Sequence, residues 1–380
     1  MDLTDYRKNI DEIDEKLVKL FVERMGLSAE IAKYKTQHGI PVLDPARERQ
    51  KLSDITQSVE PAMHTYINSL YSLIFELSRA YQRKLSSVEP ALVLKIMAAI
   101  KNTDKLIPAN SLIACQGVEG AYSQIACEKM FSAPNIMYFS SFESVFSAID
   151  KGLCRYGILP LENSTAGSVN IIYDLMMKYD FCIVRSTRIK VDHCLLVNKD
   201  TKISDIKEIF SHEQALAQCT GFLKNLGDVK ITPCENTAAA ANLVLESGRK
   251  DAAAISSAFC AELYGLECLQ KSIQDQGSNF TRFICISKKL EIYPGADKTS
   301  IMMILPHRPG ALYNVLSRFY ALGINLIKLE SRPLPNSDFE FMFYFDLDVS
   351  IYSKEFAQIF SELEETCSLM KYLGSYSEVV

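Results

Sequence analysis

The chain lacks the features that would mark a secreted, membrane-spanning or metal-binding protein. Its 380 residues contain no run of about 18 apolar residues, and the charged N-terminus has no apolar core like that of a signal peptide. The eleven cysteines form no Cys-x-x-Cys pair, so neither a disulfide framework nor a structural metal site is expected. We therefore expect a cytoplasmic protein with reduced thiols and no bound metal.

An excess of positive charge and the common catalytic glycine motifs are also missing. The formal net charge is -5, whereas nucleic-acid-binding domains usually carry a basic patch. The Gly117-x-x-Gly120 turn lacks the third glycine and the acidic residue of a dinucleotide site, and no Gly-x-Ser-x-Gly elbow of a hydrolase occurs. These absences predict no organic cofactor, no nucleic acid and no membrane as partner. The length suggests two or three domains.

Residues 1–85 show helical periodicity throughout. The apolar spacing breaks at residues 38–41 and resumes after Asp44 and Pro45, which are placed to cap and begin a second helix. A third helix follows Pro61. The pattern predicts one very long helix and two shorter ones. Because a long helix cannot bury its own apolar stripe, we expect a second copy of the chain as its partner, in a homodimer or a larger homo-oligomer.

Polar residues share faces on these helices. Arg24 and Lys35 are eleven residues apart, about three turns, and Ser78 and Gln82 are spaced i, i+4. The polar pattern closely resembles the all-α chorismate mutases, which implies that the segment rearranges chorismate to prephenate. The motifs that carry this resemblance are Arg7-x-x-Ile-Asp-x-Ile-Asp, Glu23-Arg24, Lys35, Pro41-Val42-x-Asp44 and Arg47-Glu48-Arg49.

The mutase resemblance implies a role for each of these side chains. Arg24 and the Arg7 of a partner subunit would each hold one carboxylate of chorismate, since guanidinium groups pair bidentately with carboxylates. Lys35 and Gln82 would be catalytic, donating hydrogen bonds to the ether oxygen. The resemblance also implies that Glu48 accepts the substrate hydroxyl. Three further residues would order the pocket: Asp44, Arg47 and Ser78.

Beyond a linker at residues 91–110, short β-rich runs alternate with helical stretches, which indicates an α/β domain over residues 111–289. Five separated motifs resemble the prephenate dehydratases, whose fold has two α/β lobes like periplasmic solute-binding proteins. The motifs are residues 117–123, residues 159–168, Asp192-His193-Cys-Leu-Leu-Val197, Ser211-His212-x-Gln214-Ala-Leu-Ala-Gln-Cys219 and Asn279-Phe280-Thr281-Arg282-Phe283.

This second resemblance implies that the segment removes water and CO2 from prephenate. Thr281 would be the catalytic group, polarising the leaving hydroxyl through a hydrogen bond, because threonine is too weak an acid for full proton transfer. The role of Glu162 stays open between tuning and bracing the site, and His193 and His212 are more often structural than acidic at such positions. The prephenate-binding residues implied are Glu162, Asn163, Ser164, Thr281, Arg282 and Phe283.

Residues 297–380 follow the order βαββαβ, a ferredoxin-like arrangement. The segments His307-Arg308-Pro309-Gly310-Ala311-Leu312 and Glu330-Ser331-Arg332-Pro333 closely resemble the ACT domains attached to prephenate dehydratases, which bind phenylalanine at a subunit interface. The resemblance implies that phenylalanine is an effector whose carboxylate meets the helix start at Gly310, Ala311 and Leu312. It also implies that Glu330 and Ser331 belong to the same regulatory site.

The sequence as a whole predicts a multidomain enzyme of phenylalanine biosynthesis, inhibited by phenylalanine. Its predicted segments are a helical mutase at residues 1–90, the linker, the dehydratase and the regulatory domain. Two other functions stay open: a dehydratase that prefers arogenate, and a non-catalytic phenylalanine sensor or solute-binding protein with the same lobes. The sequence does not decide between dimer and tetramer, or whether prephenate passes directly between sites.

Overall fold

The computed structural model describes residues 2–85, 91–334, 340–363 and 367–380. The chain divides into two compact units, Met1–Leu94 with Ala357–Thr366, and Lys95–Phe356 with Cys367–Val380. Residues 86–90 of the predicted mutase segment lie outside the described residues, as do residues 335–339 and 364–366 of the predicted regulatory domain. Among the described helices, none is long and apolar enough to cross a bilayer.

The first unit is built from helices, as the periodicity predicts. The helices are α1 (Leu3–His38), α2 (Pro45–Gln57) and α3 (His64–Leu85), with a 3₁₀ turn at Pro61–Met63 before α3. Asp2 and Asp5 form a capping box at the start of α1, and Gly39 ends it in the left-handed conformation with φ of 63°. Asp44 caps α2 by accepting a hydrogen bond from the backbone N–H of Arg47. The predicted helix boundaries are thus confirmed.

No other described part of the chain covers the N-terminal half of α1. Every residue from Asp2 to Leu20 is exposed, and this stretch includes the apolar side chains of Ile10, Ile13 and Leu17 at helical spacing. The C-terminal half packs on α3 and buries Ser28 and Ala32. An apolar stripe of about five turns therefore remains open to solvent in a single chain.

The next helix, α4 (Ala91–Asn102), starts within the first unit and continues into the second, which contains two β-sheets with flanking helices. Its dehydratase-like segment comprises β1 (Leu112–Gln116), α5 (Tyr122–Met130), β2 (Asn135–Phe139), α6 (Phe142–Asp150), β3 (Tyr156–Asn163), β4 (Gly167–Ser168), α7 (Asn170–Lys178), β5 (Cys182–Lys190), β6 (Cys194–Val197), a 3₁₀ turn (Ile203–Asp205), β7 (Glu208–Ser211), α8 (Glu213–Gln218), α9 (Thr220–Asn225), β8 (Lys230–Pro233), α10 (Thr237–Ser247), β9 (Ala252–Ser256), α11 (Ala258–Tyr264), β10 (Glu267–Gln270) and β11 (Phe280–Ser287).

The C-terminal segment has the predicted βαββαβ order. Its elements are β12 (Lys298–Ile304), α12 (Ala311–Ala321), β13 (Asn325–Pro333), β14 (Phe341–Asp348), α13 (Lys354–Leu363) and β15 (Leu369–Val379).

The strand order places the C-terminal segment directly beside the dehydratase-like segment. A ten-stranded sheet runs β13-β14-β12-β15-β5-β11-β3-β1-β2, with β4 paired to β3, and a five-stranded sheet runs β10-β6-β9-β7-β8. The last strand, β15, first pairs with β12 and then runs parallel to β5, where Ser377 lies opposite Arg185. The chain crosses between the two sheets twice, after β5 and before β11.

Candidate active sites

Arg24 on α1 meets Ser78 on α3 in the helical unit. The Nη1 of Arg24 donates a hydrogen bond to Oγ of Ser78, which in turn donates to the carbonyl of Ile74 at 2.7 Å. The guanidinium also lies 5.8 Å from the ring centroid of Phe75. Ser78 is buried, so this contact fixes an arginine beside the small core of the unit.

Lys35 near the end of α1 and Gln82 on α3 are the two predicted donors of the helical unit. The Nζ of Lys35 donates to the carbonyl of Val42 at 2.6 Å, which ties the end of α1 to the loop before α2. Gln82 is 8 % exposed, and its Oε1 has no hydrogen-bond partner among the described residues. A buried amide without a partner is costly in a soluble protein, so this group marks a place where a ligand can be bound.

Glu48 was expected to be free to accept the substrate hydroxyl, but it carries an ion pair. Arg79, one residue after Ser78, donates through Nη1 to both carboxylate oxygens of Glu48, and both side chains are largely buried. The sequence interpretation missed Arg79, although its position three residues before Gln82 places both on one face of α3. Glu48 is therefore held in place by a cation from the neighbouring helix.

The remaining mutase residues are spread out. Asp44 caps α2 by accepting a hydrogen bond from the backbone N–H of Arg47 at 3.0 Å. Arg47 itself is exposed. Arg7 is exposed and stands seventeen residues before Arg24 on one helix, which corresponds to about 25 Å along the axis. Arg7 and Arg24 of the same chain therefore cannot bind one small molecule.

In the second unit, a group of polar side chains, three of them buried, gathers around Asn163 at the end of β3. The Nδ2 of Asn163 donates to Thr281 at 2.9 Å and to Asn279 at 2.7 Å. Its Oδ1 accepts from the N–H and hydroxyl of Thr165. We call this group, completed by Gln218 of α8, the Asn163 cluster; its members are Asn163, Thr165, Gln218, Asn279 and Thr281.

The hydroxyl of Thr281 keeps its proton available. Its Oγ1 accepts from Asn163, and within the described residues it donates to no protein acceptor. Since a hydroxyl can donate one hydrogen bond and accept others, Asn163 orients the oxygen and leaves the O–H free. Thr281 is 9 % exposed, so this donor lies in a largely dry setting.

Gln218 links the Asn163 cluster to His193. The Oε1 of Gln218 accepts from Asn279 at 2.9 Å, so the contact with Nε2 of His193 at 3.0 Å requires that the histidine donate. Burial lowers the pKa of His193 below its usual value, which keeps the ring neutral. His193 is therefore a neutral donor, in agreement with the structural role that the sequence favoured.

Comparison with known proteins assigns a family to each of these two regions. Residues 6–83 match the family Chorismate mutase type II, and residues 113–291 match Prephenate dehydratase. The bifunctional chorismate mutase/prephenate dehydratase of Escherichia coli K12 is 32% identical over 382 residues, covering 97% of this chain and 95% of its own length. The chain belongs to this bifunctional family. Both activities, the isomerisation of chorismate and the dehydration of prephenate in phenylalanine biosynthesis, therefore reside in one polypeptide.

Two further relatives match the mutase/dehydratase over its α/β portion. Arogenate dehydratase/prephenate dehydratase 2 of Arabidopsis thaliana is 37% identical over 276 residues, covering 70% of this chain and 72% of its own. The crystal structure of prephenate dehydratase from Arthrobacter aurescens in complex with L-Phe is 28% identical and superposes with a TM-score of 0.64. The superposition covers 70% of this chain and 90% of the Arthrobacter aurescens chain. The structural match supports the α/β fold of the dehydratase portion.

Arg282 was expected to hold a prephenate carboxylate, but its guanidinium is bound elsewhere. It is 4 % exposed and donates to Asp346, to the hydroxyl of Tyr376 at 2.8 Å and to Glu162 at 3.2 Å. Burial would lower the pKa of Arg282, but Tyr376 and Asp346 outweigh it and raise that pKa. Arg282 thus lies on the opposite face of β11 from Thr281, and the expectation for Arg282 is corrected.

Three other predicted prephenate-binding residues also have structural partners. Glu162 binds Lys328 and Arg282, which supports the bracing role over the tuning role. Phe283 is 3 % exposed and belongs to the apolar core. Ser164 donates to the carbonyl of residue 278 at 3.1 Å and accepts from the N–H of residue 280 at 2.9 Å, holding the strand that carries Thr281.

A cavity of about 800 Å³ opens near the second predicted histidine. His212, Glu119, Glu213 and Glu235 are among its lining residues, none of which is lysine or arginine. The Nδ1 of His212 accepts from the second N–H of α8, so this histidine caps a helix. Three glutamates without a cation disfavour a dicarboxylate such as prephenate, and no member of the Asn163 cluster lines this cavity.

The predicted regulatory residues lie at the start of α12 and along β13. Gly310 begins α12 with φ of 81° and no side-chain cap, and Ala311 and Leu312 are half-buried. Glu330 accepts a hydrogen bond from Ser168 and lies 3.6 Å from Lys328. Ser331 is exposed on β13, the edge strand of the ten-stranded sheet. No group of His, Cys, Asp and Glu that could hold a metal occurs among the described residues.

Proposed function

We propose that chorismate rearranges beside Arg24 and Lys35 of α1 and Gln82 of α3. In this pericyclic reaction one C–O bond breaks as one C–C bond forms, so the site needs fixed charges rather than an acid or a base. Arg24 binds one carboxylate, and Lys35 and Gln82 donate to the ether oxygen, where negative charge develops. The burial of Gln82 on α3 and the contact between Arg24 and Ser78 support this assignment.

Arg7 from a second subunit completes the mutase site. The axial separation of about 25 Å from Arg24 excludes a contribution from the same chain, and the exposed apolar stripe of α1 offers the surface for pairing. Glu48, held by Arg79, accepts the substrate hydroxyl. Asp44, Arg47 and Ser78 order the pocket. The protein is therefore a homodimer, or a larger assembly of such dimers.

Dehydration takes place at the Asn163 cluster, with Thr281 as the catalytic donor. Prephenate loses its ring hydroxyl and, as CO2, its ring carboxylate, and aromatisation drives the reaction. The enzyme has only to stabilise the departing hydroxyl and to bind the anion. The free O–H of Thr281, oriented by Asn163, is the one observation that carries this proposal. Backbone N–H groups take the carboxylate-binding role that Arg282 does not fill.

The dehydratase portion forms two lobes that resemble periplasmic solute-binding proteins. The two sheets, joined by two chain crossings, support this arrangement. Gln218, which follows β7 of the five-stranded sheet, donates to Thr165, which follows β3 of the ten-stranded sheet, at 3.1 Å. The Asn163 cluster is thus built from both lobes, as expected for a site that closes around its substrate.

Three replacements of Thr281 test the dehydratase assignment. Thr281→Val keeps the shape and removes the hydroxyl, so dehydratase kcat should fall by about 10²–10³. Thr281→Ser should retain most of the activity, and Thr281→Ala should resemble the valine variant. The mutase turnover of the same samples serves as the control for folding and concentration. Full dehydratase activity in Thr281→Val would remove Thr281 from the chemistry.

Prephenate is the proposed substrate, and arogenate is the second candidate because relatives of the α/β portion carry both names. Arogenate bears an ammonium group, and the Asn163 cluster contains no carboxylate to bind it. The ratio of kcat/KM for the two substrates decides this. A higher value for arogenate would overturn the preference.

Residues 297–380 form an ACT regulatory domain that binds phenylalanine and inhibits the dehydratase. The start of α12 at Gly310, Ala311 and Leu312 has no side-chain cap, and the effector carboxylate binds there by replacing the long contact of the Ala311 N–H with the carbonyl of Arg308 at 3.3 Å. Glu330, with Ser331 beside it, receives the ammonium group. The observed βαββαβ order and the phenylalanine complex of the Arthrobacter aurescens relative support this proposal.

Phenylalanine must bind the less active state more tightly to inhibit the enzyme. We expect it to reduce dehydratase turnover and to raise the Tm of the protein at the same concentrations. An amino acid of similar size without an aromatic ring, such as leucine, is the control ligand. If phenylalanine changes neither turnover nor Tm, the regulatory proposal fails.

A further inference from the structure

Two cross-strand pairs stand next to each other where β11 runs beside β3. Thr281 lies opposite Asn163, and Arg282 lies opposite Glu162. Successive residues of a strand point to opposite faces of the sheet, so the first pair faces the Asn163 cluster and the second faces away from it. A shift of the backbone at the Arg282–Glu162 pair is therefore passed directly to the adjacent Thr281–Asn163 pair.

The C-terminal strands surround the guanidinium of Arg282. Asp346 of β14 is fully buried and accepts from Nη1, while Tyr376 of β15 accepts from Nη2 at 2.8 Å. Ser300 of β12 donates to Asp346 and lies 2.7 Å from the hydroxyl of Tyr376. One arginine of the dehydratase portion is thus bound directly by side chains from two strands of the regulatory portion, and Ser300 of a third strand contacts both of those side chains.

Glu162 is bound from a fourth strand. Lys328 of β13 donates to its carboxylate and also to Ser168 of β4 at 3.0 Å. Ser168 donates in turn to Glu330, which lies two residues after Lys328 on the same face of β13. A continuous set of charge-assisted hydrogen bonds therefore runs from Glu330, a proposed effector-binding residue, to the neighbour of Thr281.

The composition of this cluster argues for a role beyond holding the domains together. Apolar side chains already pack the same region, where Met302, Tyr344 and Leu373 share one core with Ile183 and Ile284. Replacing a buried ion pair with apolar residues is often neutral or stabilising, so charges are not required for adhesion. A hydrogen-bonded ion network with fixed geometry does define the position of the strands that carry it.

We propose that Glu162, Arg282, Lys328 and Asp346 form a positioning network that sets the Asn163–Thr281 pair according to the state of the regulatory domain. This inference deepens the proposed function and rests on Thr281 as the catalytic donor. Phenylalanine at the regulatory site draws Glu330 into contact with its ammonium group, which redistributes the contacts of Lys328 and Glu162. The network carries this change to the dehydratase site.

A matched pair of lysines separates positioning from simple attachment. Lys328 and Lys371 both belong to the C-terminal strands, are 14% and 16% exposed, and both donate to dehydratase residues. Lys371 binds the carbonyl of Met176 at 2.9 Å and has no contact with the network. Lys328→Met should therefore disturb the Asn163–Thr281 pair, and Lys371→Met should not.

The experiment measures dehydratase kcat and KM, mutase kcat and the phenylalanine concentration for half-inhibition in both full-length variants. For Lys328→Met we expect dehydratase kcat to fall and the half-inhibitory concentration to shift, each by about 5-fold or more. KM and mutase turnover should stay near wild type. Lys371→Met should match wild type in every quantity. Equal effects of the two variants, or no effect of Lys328→Met, would overturn the proposal.

A second variant guards against loss of folding. The double variant Glu162→Gln with Lys328→Met removes both charges of this ion pair, so neither of the two is left without the other. It replaces the single variant Lys328→Met if that variant has also lost mutase activity. The results expected of Lys328→Met, and the results that would overturn the proposal, are the same for this double variant. The Thr281→Val test decides the dehydratase proposal independently. If phenylalanine does not inhibit the wild type, the regulatory proposal fails, and dehydratase kcat alone decides the network proposal.

Discussion

At the residue scale, each of the two proposed centres contains a polar side chain that still has an unused hydrogen-bonding position. Asn163 accepts three hydrogen bonds and donates two, which fixes Thr281 while the threonine proton remains free. Gln82 is buried with an unpartnered oxygen. The oriented hydroxyl of Thr281 favours stabilisation of developing charge by a preorganised donor, because such a group needs no rearrangement during the reaction.

The ammonium group of Lys35 provides the residue-scale prediction for the mutase. Lys35→Ala should cost about 2–4 kcal/mol of transition-state stabilisation, because one preorganised donor to the ether oxygen is lost. Mutase kcat/KM measures this, and dehydratase turnover should not change. Lys33→Ala is the matched control, since Lys33 is exposed on the same helix and pairs only with Glu30. Comparable losses in both variants would contradict the role of Lys35.

The structure brings the predicted residues Thr281 and Asn163 into contact, whereas Arg282 binds Asp346 and Phe283 lies in the apolar core. Motif resemblance selects a stretch of chain, whereas the face on which each side chain lies depends on the strand and its neighbours. Arg282 points to Asp346, sixty-four residues later in the chain, and no local pattern indicates that partner. Arg79 was missed for the same reason, because its partner Glu48 lies on another helix.

At the scale of elements, β15 joins the regulatory strands to the dehydratase sheet. The βαββαβ order calls for a last strand, and the structure forms it over Leu369–Val379, with its end paired to β5. Strand type follows from local composition, but a pairing partner almost two hundred residues away does not. The βαββαβ order was predictable, and its attachment beside β5 was not.

Gly374 is essential to the crossing of β15 from β12 to β5. A Cβ at this position would lie 2.3 Å from the carbonyl oxygen of Ile183, and φ is 135°. Gly374→Ala should therefore destabilise the unit by about 1–3 kcal/mol, through overpacking and backbone strain. Thermal unfolding measures the effect.

Gly295→Ala is the control for Gly374→Ala. Gly295 has a positive φ of 85° but open space around its missing Cβ, so this variant isolates the backbone strain. An equal loss of Tm in both variants would show that the contact with Ile183 is unimportant.

The pH dependence of stability tests the Glu162 contacts. Burial would raise the pKa of Glu162, but Lys328 and Arg282 outweigh it and lower the pKa below its ordinary 4.5. A lowered folded-state pKa contributes stability above the unfolded value, and this contribution is lost as pH falls through the folded value. Glu162→Gln should thus be less stable than wild type at neutral pH, with the difference shrinking below 4.5.

Urea unfolding at a series of pH values measures that difference. Glu143→Gln is the control, because Glu143 forms an exposed ion pair with Lys178 and should show little change. A Glu162→Gln deficit that is constant from neutral to acidic pH would contradict the role of the charge.

At the scale of the whole molecule, the exposed stripe of α1 predicts that the mutase site is shared between subunits. Arg7→Ala and Arg24→Ala should each lack mutase activity as purified homodimers. After subunit exchange, an equal mixture should regain about a quarter of wild-type activity, since half of the dimers are mixed and each has one intact site. Mutase assays before and after mixing measure this. A mixture as inactive as its components would place Arg7 and Arg24 outside a shared site.

The measurement that tests the central claim most directly is a crossed assay of Lys35→Ala and Thr281→Val for both activities. The account predicts that Lys35→Ala loses mutase turnover and keeps dehydratase turnover, while Thr281→Val shows the reverse, because the chain contains two separate centres. If either variant loses both activities while remaining folded, or if Thr281→Val still dehydrates prephenate at the wild-type rate, the account is contradicted.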